Sequence, residues 1–319
     1  REGYRSAHGP VFVTDRGVFA LSYAGDKEIR HLDQYISMNT AKSLAEWRAG
    51  QVGINAIPSI NYVVADRLGN IGYFWNAAMP TRQPGWDRKK VLPGNVSETM
   101  WTGRAGVETL PYVINPPSGY VVNANHSPLF SSSPEDSPKA EDFPADYGLD
   151  TLVTNRGLQA QILYGGDASI TREEFIAYKH DHSYAPEANV REMTVNLLAR
   201  GDQGDAELKA ALDVLATWDF AARQDSRAAA LAILTGQATM GSQIHGETTL
   251  DKAAEALKAT AAKLKSVYGR IDPQWSEVSR VCRGEASWPT DGGPDTLRAM
   301  YAGGDMEAVG HLCGRAGDT

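Results

Sequence analysis

The stretch INYVVADRLGNIGYFWNAA, Ile60–Ala78, decides how the first part of the chain is read. Ile60–Asp66 and Ile71–Ala78 are rich in Val, Ile, Tyr, Phe and Trp, which suit a pleated, half-buried surface. Between them lies Arg67-Leu68-Gly69-Asn70, and Gly and Asn are the residues that tolerate positive φ in a tight turn. The pattern predicts a β-hairpin. Strand-like segments precede it at Tyr4–Ala7, Val11–Thr14 and Val18–Tyr23, with a helix expected around Ala41–Ala49. The first third is therefore expected to be β-rich.

A second strand-like stretch is GYVVNANHSP, Gly119–Pro128. In an extended strand Val121, Asn123 and Asn125 share one face. Asn is depleted in strands, so two on one face mean either edge-and-turn chemistry or carboxamides aimed at something. Beyond it, Ser131–Asp146 (SSSPEDSPKAEDFPAD) reads as an exposed loop or linker. After that the pattern turns helical. Thr171-Arg172-Glu173-Glu174 fits a capping box. Leu208, Leu212 and Leu215 recur at helical spacing, a helix from Ser226 is expected to stop at Gly236, and the longest helix runs from about Leu250 to Tyr268 with Gly269 as its stop. The expected organisation is a β-rich core portion over 1–130, a Ser/Pro/acidic loop over 131–150, a helical extension over 151–280 and, from 281, a return toward the core.

The 319 residues carry 42% hydrophobic and 22% charged side chains and a net charge of −8, with no basic run. That argues against nucleic acid and anionic membrane as main partners. No apolar run approaches the roughly 18 residues a membrane span needs. Cys282 and Cys313 are the only cysteines, too few for a disulfide framework or a four-thiolate zinc site. One disulfide between them is allowed by the count, and the sequence does not decide it.

Candidate chemistry is sparse. The carboxamide of Asn123 or Asn125 could donate to an oxyanion. Arg156, in Thr154-Asn155-Arg156-Gly157, offers a planar fork that could orient such a group. His8 lies at a strand end before Gly9-Pro10. His180 and His182 could suggest a metal, though positions two apart do not share a helix face. His245 is weaker still, and Asp87 is a lone carboxylate for calcium. There is no Gly-x-Ser-x-Gly elbow, no phosphate-binding Gly loop with Lys and no His-Glu-x-x-His. No nucleophile is evident.

Segments in order along the chain resemble the penicillin acylase family of N-terminal-nucleophile hydrolases. They are RSAHGPVF (5–12), YVVADRLGNIGYFWNAAMPTRQPGWD (62–87), NPPSGYVVNANHSP (115–128) and TNRGLQAQI (154–162). LATWDFAARQDSRAAAL (215–231) and YGRIDPQWSEVSRV (268–281) are similar to the cephalosporin-acylase and acyl-homoserine-lactone-acylase branch. The resemblance implies an α+β fold, part of an αββα sandwich with a helical extension. It implies an amide hydrolase whose nucleophile is the N-terminal serine of a processed β subunit, with that serine's α-amine as base. An α-amine titrates at about 8, so it can be neutral at working pH, unlike a lysine. In motif register the family's oxyanion-hole Asn falls on Asn125 and its supporting Arg on Arg156, with Asn123 and His8 in supporting places.

The departures from the family are equally specific. The Ser-Asn-x-Trp start is not present, and His126 replaces the Asn or Asp common after this motif. The chain is thus expected to be an internal part of the β subunit, inactive alone, whose partners are the α subunit, the remaining β-subunit segments and a small N-acyl amide substrate. The resemblance implies no cofactor beyond a structural calcium in some members, and a periplasmic or secreted location. Two rival readings stand beside it: a catalytically inactive binding module on the same fold, and a metal-dependent hydrolase using His180 and His182.

Overall fold

The computed structural model describes residues 3–315, which divide into two compact units at Leu152/Val153. In the first unit, β1 (Tyr4–Ser6), β2 (Gly9–Thr14) and β3 (Gly17–Ala20) form an antiparallel sheet. Two helices follow, α1 (His31–Thr40) and α2 (Leu44–Ile54). Next come β4 (Ser59–Ala65) and β5 (Ile71–Ala77), joined antiparallel by β8 (Tyr112–Ile114), while β6 (Pro80–Arg82) pairs with β7 (Trp101–Arg104).

The hairpin is the anchor of this unit. Tyr62 faces Phe74, and Ala65 faces Ile71, so five residues form the loop. Gly69 takes the positive φ (86°). Asn70, also expected to supply one, instead donates its Nδ2 to Asp66. Phe74 is buried against Trp47 of α2, with ring centroids 4.9 Å apart, and the Arg48 guanidinium lies 4.9 Å from the Phe74 centroid and 5.1 Å from that of Tyr112. The Arg48–Gln51–Asn76 hydrogen-bond chain ends on the Ile57 carbonyl and ties α2 to β5.

The expected helix over 41–49 begins at Leu44 instead, because Ser43 caps it by accepting from the Glu46 N–H. Helix α1, which the sequence pattern did not disclose, buries only Gln34 and Met38. The Gln34 Oε1 accepts from the N–H groups of both Ala56 and Ile57. A buried polar residue at the centre of a short helix erases the apolar stripe by which helices are recognised.

The second unit is helical: α3 (Asn155–Leu163), α4 (Arg172–Lys179), α5 (Asn189–Arg200), α6 (Ala206–Leu215), α7 (Ala229–Met240), α8 (Leu250–Tyr268), α9 (Trp275–Val278) and α10 (Met306–Val309). Its core gathers Tyr184, Leu197, Leu215, Leu231, Ile233, Leu257, Leu264 and Trp275. The capping box at Thr171–Glu174 and the Gly269 stop of α8, with φ 70°, lie where the sequence places them. Gly236 does not end α7. It sits inside the helix, where a Cβ would meet Val190 and Ile244 at 3.2 Å, so it serves close packing rather than termination. The helix ends at Gly241, which takes φ 85°.

A small sheet completes this unit: β9 (Ser279–Arg283) pairs antiparallel with β10 (Ala286–Pro289) and parallel with β11 (Leu312–Arg315). Cys282 and Cys313 form a disulfide that joins β9 to β11 across a sequence separation of 31. In the chain-entropy account, closing a loop of that length stabilises by roughly 3–4 kcal/mol.

The hairpin loop carries a pH signature. The Asn70 carboxamide, with the N–H groups of Leu44, Asn70 and Leu68, holds the Asp66 carboxyl at about 2, below its ordinary value. The stability it contributes is present above the unfolded value of ~3.9 and is lost as pH falls through about 2. Asp66→Asn should flatten the acid limb of stability in that window, read as urea midpoints against pH. An unchanged acid limb would mean that Asp66 does not lock the hairpin.

Candidate active site

The Asn-bearing segment is not a strand. Residues 119–127 run without ladder pairing, and the alternation of faces ends at Asn125, whose φ is 62°. The left-handed region costs most residues energy, and Asn is among the few that visit it routinely. Local side chains impose it. The Asn125 N–H donates to Asn123 Oδ1 at 3.1 Å, and Asn123 Nδ2 donates to the His126 carbonyl at 3.1 Å. The Ala124 N–H donates to His126 Nδ1 at 3.2 Å. That makes Nδ1 an acceptor, so Nε2 carries the proton and donates to the Phe130 carbonyl at 3.1 Å. His126 is buried beneath the turn, 3% exposed, whereas Asn125 is exposed. The departure at residue 126 is therefore a scaffolding choice rather than a group facing a ligand.

The Ser-rich stretch, expected as an exposed loop or linker, is irregular and mostly exposed, but its serines belong to this scaffold. Ser131, Ser132 and Ser137 are buried. The Val122 N–H donates to the Ser131 carbonyl, Ser132 Oγ donates to the Tyr120 carbonyl, and Ser137 Oγ accepts from the Ser132 N–H. Asp136 Oδ2 accepts from the Ser118 N–H. Serine hydroxyls here satisfy backbone groups that a strand partner would otherwise satisfy.

In the second unit, Thr154 caps α3 by accepting from the Gly157 N–H, and Arg156 lies in the helix's first turn. Its Nε donates to Asp295 Oδ1 at 3.1 Å. The other oxygen, Oδ2, accepts from the Asn155 N–H at 2.6 Å. The Asn155 side chain donates to the carbonyls of Asp295 and Ser183 and accepts from the Ala185 N–H. Asp295 is 1% exposed and has φ 58°. Burial pushes its carboxyl up from the ordinary value, offset in part by the Asn155 N–H and the Arg156 guanidinium. An acceptor-only geometry toward two donors is that of the ionised form. Nothing local in the sequence marks Asp295, because its partners lie 139 and 140 residues away.

The structure thus gathers Asn123 and Asn125 in one turn of the first unit and places Arg156 in the second. His8 lies elsewhere in the first unit, between β1 and β2. It borders a cleft of about 440 Å³ lined also by Phe19, Arg82, Arg88 and Trp101, and neither asparagine lines that cleft. Asp87 accepts from the Lys89 N–H and pairs with Lys90. Neither Asp87 nor His180, His182 or His245 belongs to a cluster of three potential metal ligands among the described residues. His180 and His182 hydrogen-bond to nearby backbone carbonyls.

A profile of the family described as penicillin amidase matches residues 1–312. The chain belongs to the penicillin amidase family. It is 37% identical over 155 residues to penicillin G acylase of Escherichia coli, covering 47% of this chain and 17% of that protein. It is 35% identical over 77 residues to penicillin acylase 2 proenzyme of Pseudomonas sp. (strain SE83), covering 24% of this chain and 10% of that protein. The matched stretches therefore span a small part of these relatives. Among solved structures, the chain shares its fold with the thermostable penicillin G acylase from Alcaligenes faecalis, with a TM-score of 0.59 and 21% identity over 84% of this chain and 58% of that one. The α+β expectation agrees with that fold.

Asp295→Asn would put an amide donor where two donors converge. Breaking a buried pair from one side costs about 3 kcal/mol or more, and the urea midpoint of the chain should fall accordingly. A loss below about 1 kcal/mol, the ordinary worth of an exposed pair, would show that Asp295 does not hold α3.

Proposed function

We propose that this chain is part of an N-acyl amide hydrolase in which Asn125 donates to the oxyanion. Family membership supports the reaction class, and the observation that carries the residue assignment is the exposed asparagine held at positive φ by Asn123 and His126. An amide carbonyl attacked by a hydroxyl becomes a tetrahedral oxyanion. A donor accelerates that step when it is already in place as the charge develops. The Asn125 N–H donates to Asn123 within the turn, and the group assigned to the oxyanion is the side-chain carboxamide NH₂. The nucleophile is an N-terminal serine outside these 319 residues, with its own α-amine as base. Arg156, which in motif register is the family's supporting arginine, is held by Asp295.

Substrates of this reading are N-acyl amides whose acyl group fills an apolar pocket, either acyl-homoserine lactones or acylated β-lactams. The partners are the remaining acylase segments. The exposed apolar side chains Phe12, Val13 and Val18 of the β2–β3 pair suit a chain that packs against further polypeptide. The disulfide suits an oxidising compartment such as the periplasm.

In the complete acylase, Asn125→Ala should lower kcat by about 10²–10³-fold with little change in KM, the signature of a donor used in the transition state. Asn123→Ala should act more weakly, by loosening the turn. Steady-state hydrolysis of a chromogenic N-acyl amide reads both, and full activity in Asn125→Ala would end the assignment. The 319-residue chain alone should show no turnover of the same reporter.

A further inference from the structure

Cys282, Cys313 and His311 form the one group of three potential metal ligands brought together among the described residues, each half-buried, with their ligating atoms within 4.8 Å of one another. The arrangement follows from strand geometry. His311 immediately precedes β11 and Cys313 is its second residue, which brings the imidazole to the side of the sulfurs. Cys282 lies across the parallel pairing on β9, with Cα atoms of the two cysteines 5.4 Å apart. The backbone of Cys313 is fixed from its other side, where it exchanges both hydrogen bonds with Gly303. The disulfide explains the two sulfurs but not the imidazole beside them.

We propose that reduction of this disulfide turns it into a zinc site of two thiolates and one imidazole. Tetrahedral zinc, with Zn–S of about 2.3 Å and Zn–N of about 2.0–2.1 Å, keeps its ligand atoms roughly 3.5–3.8 Å apart. The three atoms already lie inside a comparable span, so side-chain rotation suffices and the strands stay paired. A phosphine or thiol reductant converts the S–S bond to two thiols and is itself oxidised. Each thiol then loses its proton on binding, so two protons leave per zinc, and the neutral imidazole donates a lone pair. Three protein ligands and a water complete the coordination. The consequence is a staple with two chemistries. The span from Cys282 to Cys313 is closed by a covalent bond when oxidised and by zinc when reduced, so the β9–β11 sheet is held before and after oxidation.

The test uses the full chain, with Zn²⁺ alone as probe. After reduction by a phosphine and removal of excess reagent, equilibrium dialysis with elemental analysis should find one zinc per chain. The oxidised chain should bind none at that affinity. His311→Ala should weaken binding by at least the roughly 10–100-fold that loss of an outer-shell partner already causes, and Cys282→Ser should abolish it. Cobalt substitution should give sulfur-to-metal charge-transfer absorption in the reduced wild type and not in Cys282→Ser. Zinc should also raise the thermal midpoint of the reduced wild type but not of His311→Ala, which keeps its disulfide and therefore folds when oxidised. Absence of zinc from the reduced wild type, equal binding by the oxidised chain, or wild-type affinity in His311→Ala would each overturn the proposal.

Discussion

The left-handed backbone of Asn125 is the constraint on which the proposed site depends. Two side chains impose it from one side of the turn: Asn123 takes the Asn125 N–H, and His126 takes the Ala124 N–H. A residue held in a sparsely populated region costs roughly 1–3 kcal/mol and persists only where its surroundings over-determine it. Here they do. His126 is anchored in turn by the Phe130 carbonyl, and Ser127 fixes the chain beyond it by donating to the Asp150 carbonyl and, through its N–H, to the Leu152 carbonyl. Strain of this kind suits preorganisation, since a donor already in place needs no reorganisation when charge appears.

The second unit solves a matching problem with a buried carboxylate. Asp295 fastens the first turn of α3 and the Arg156 guanidinium to a loop that arrives from the far end of the sequence. Around it, Tyr184 donates to the Pro294 carbonyl and Thr296 hydrogen-bonds within Gly293–Arg298, so the loop has little freedom. Leaving a carboxylate in such a place is unfavourable unless its lone pairs are used. The donors from Asn155 and Arg156 meet that condition, and they tie the position of Arg156 to a buried carboxylate.

Legibility in the sequence followed the range of the interactions. The hairpin at 59–77, the capping box of α4 and the Gly269 stop depend on neighbours a few residues apart, and local pattern disclosed them. Asn125 and Arg156 were singled out by motif register, while the geometry that holds them was not. The short strand expected before the Asn123–Asn125 turn is absent, while the turn itself is held by the Asn123 and His126 side chains, which the sequence pattern did not disclose. The Ser-rich stretch is a loop as its composition suggests, yet Ser131, Ser132 and Ser137 are buried, and the Ser132 and Ser137 hydroxyls hydrogen-bond to specific backbone groups. Gly236 shows the same limit, since a glycine that ends a helix and one that lets two helices close on each other look alike in sequence. Asp295 left no local trace at all.

The most direct measurement is a crystal structure of the complete protein bound to a boronic-acid or phosphonate analogue of the tetrahedral intermediate. The account predicts the Asn125 Nδ2 at about 2.7–3.1 Å from the analogue's charged oxygen, with the Asn125 φ still positive and the Arg156–Asp295 pair intact. An analogue oxygen served by other donors, with the Asn125 carboxamide beyond hydrogen-bond reach, would contradict it.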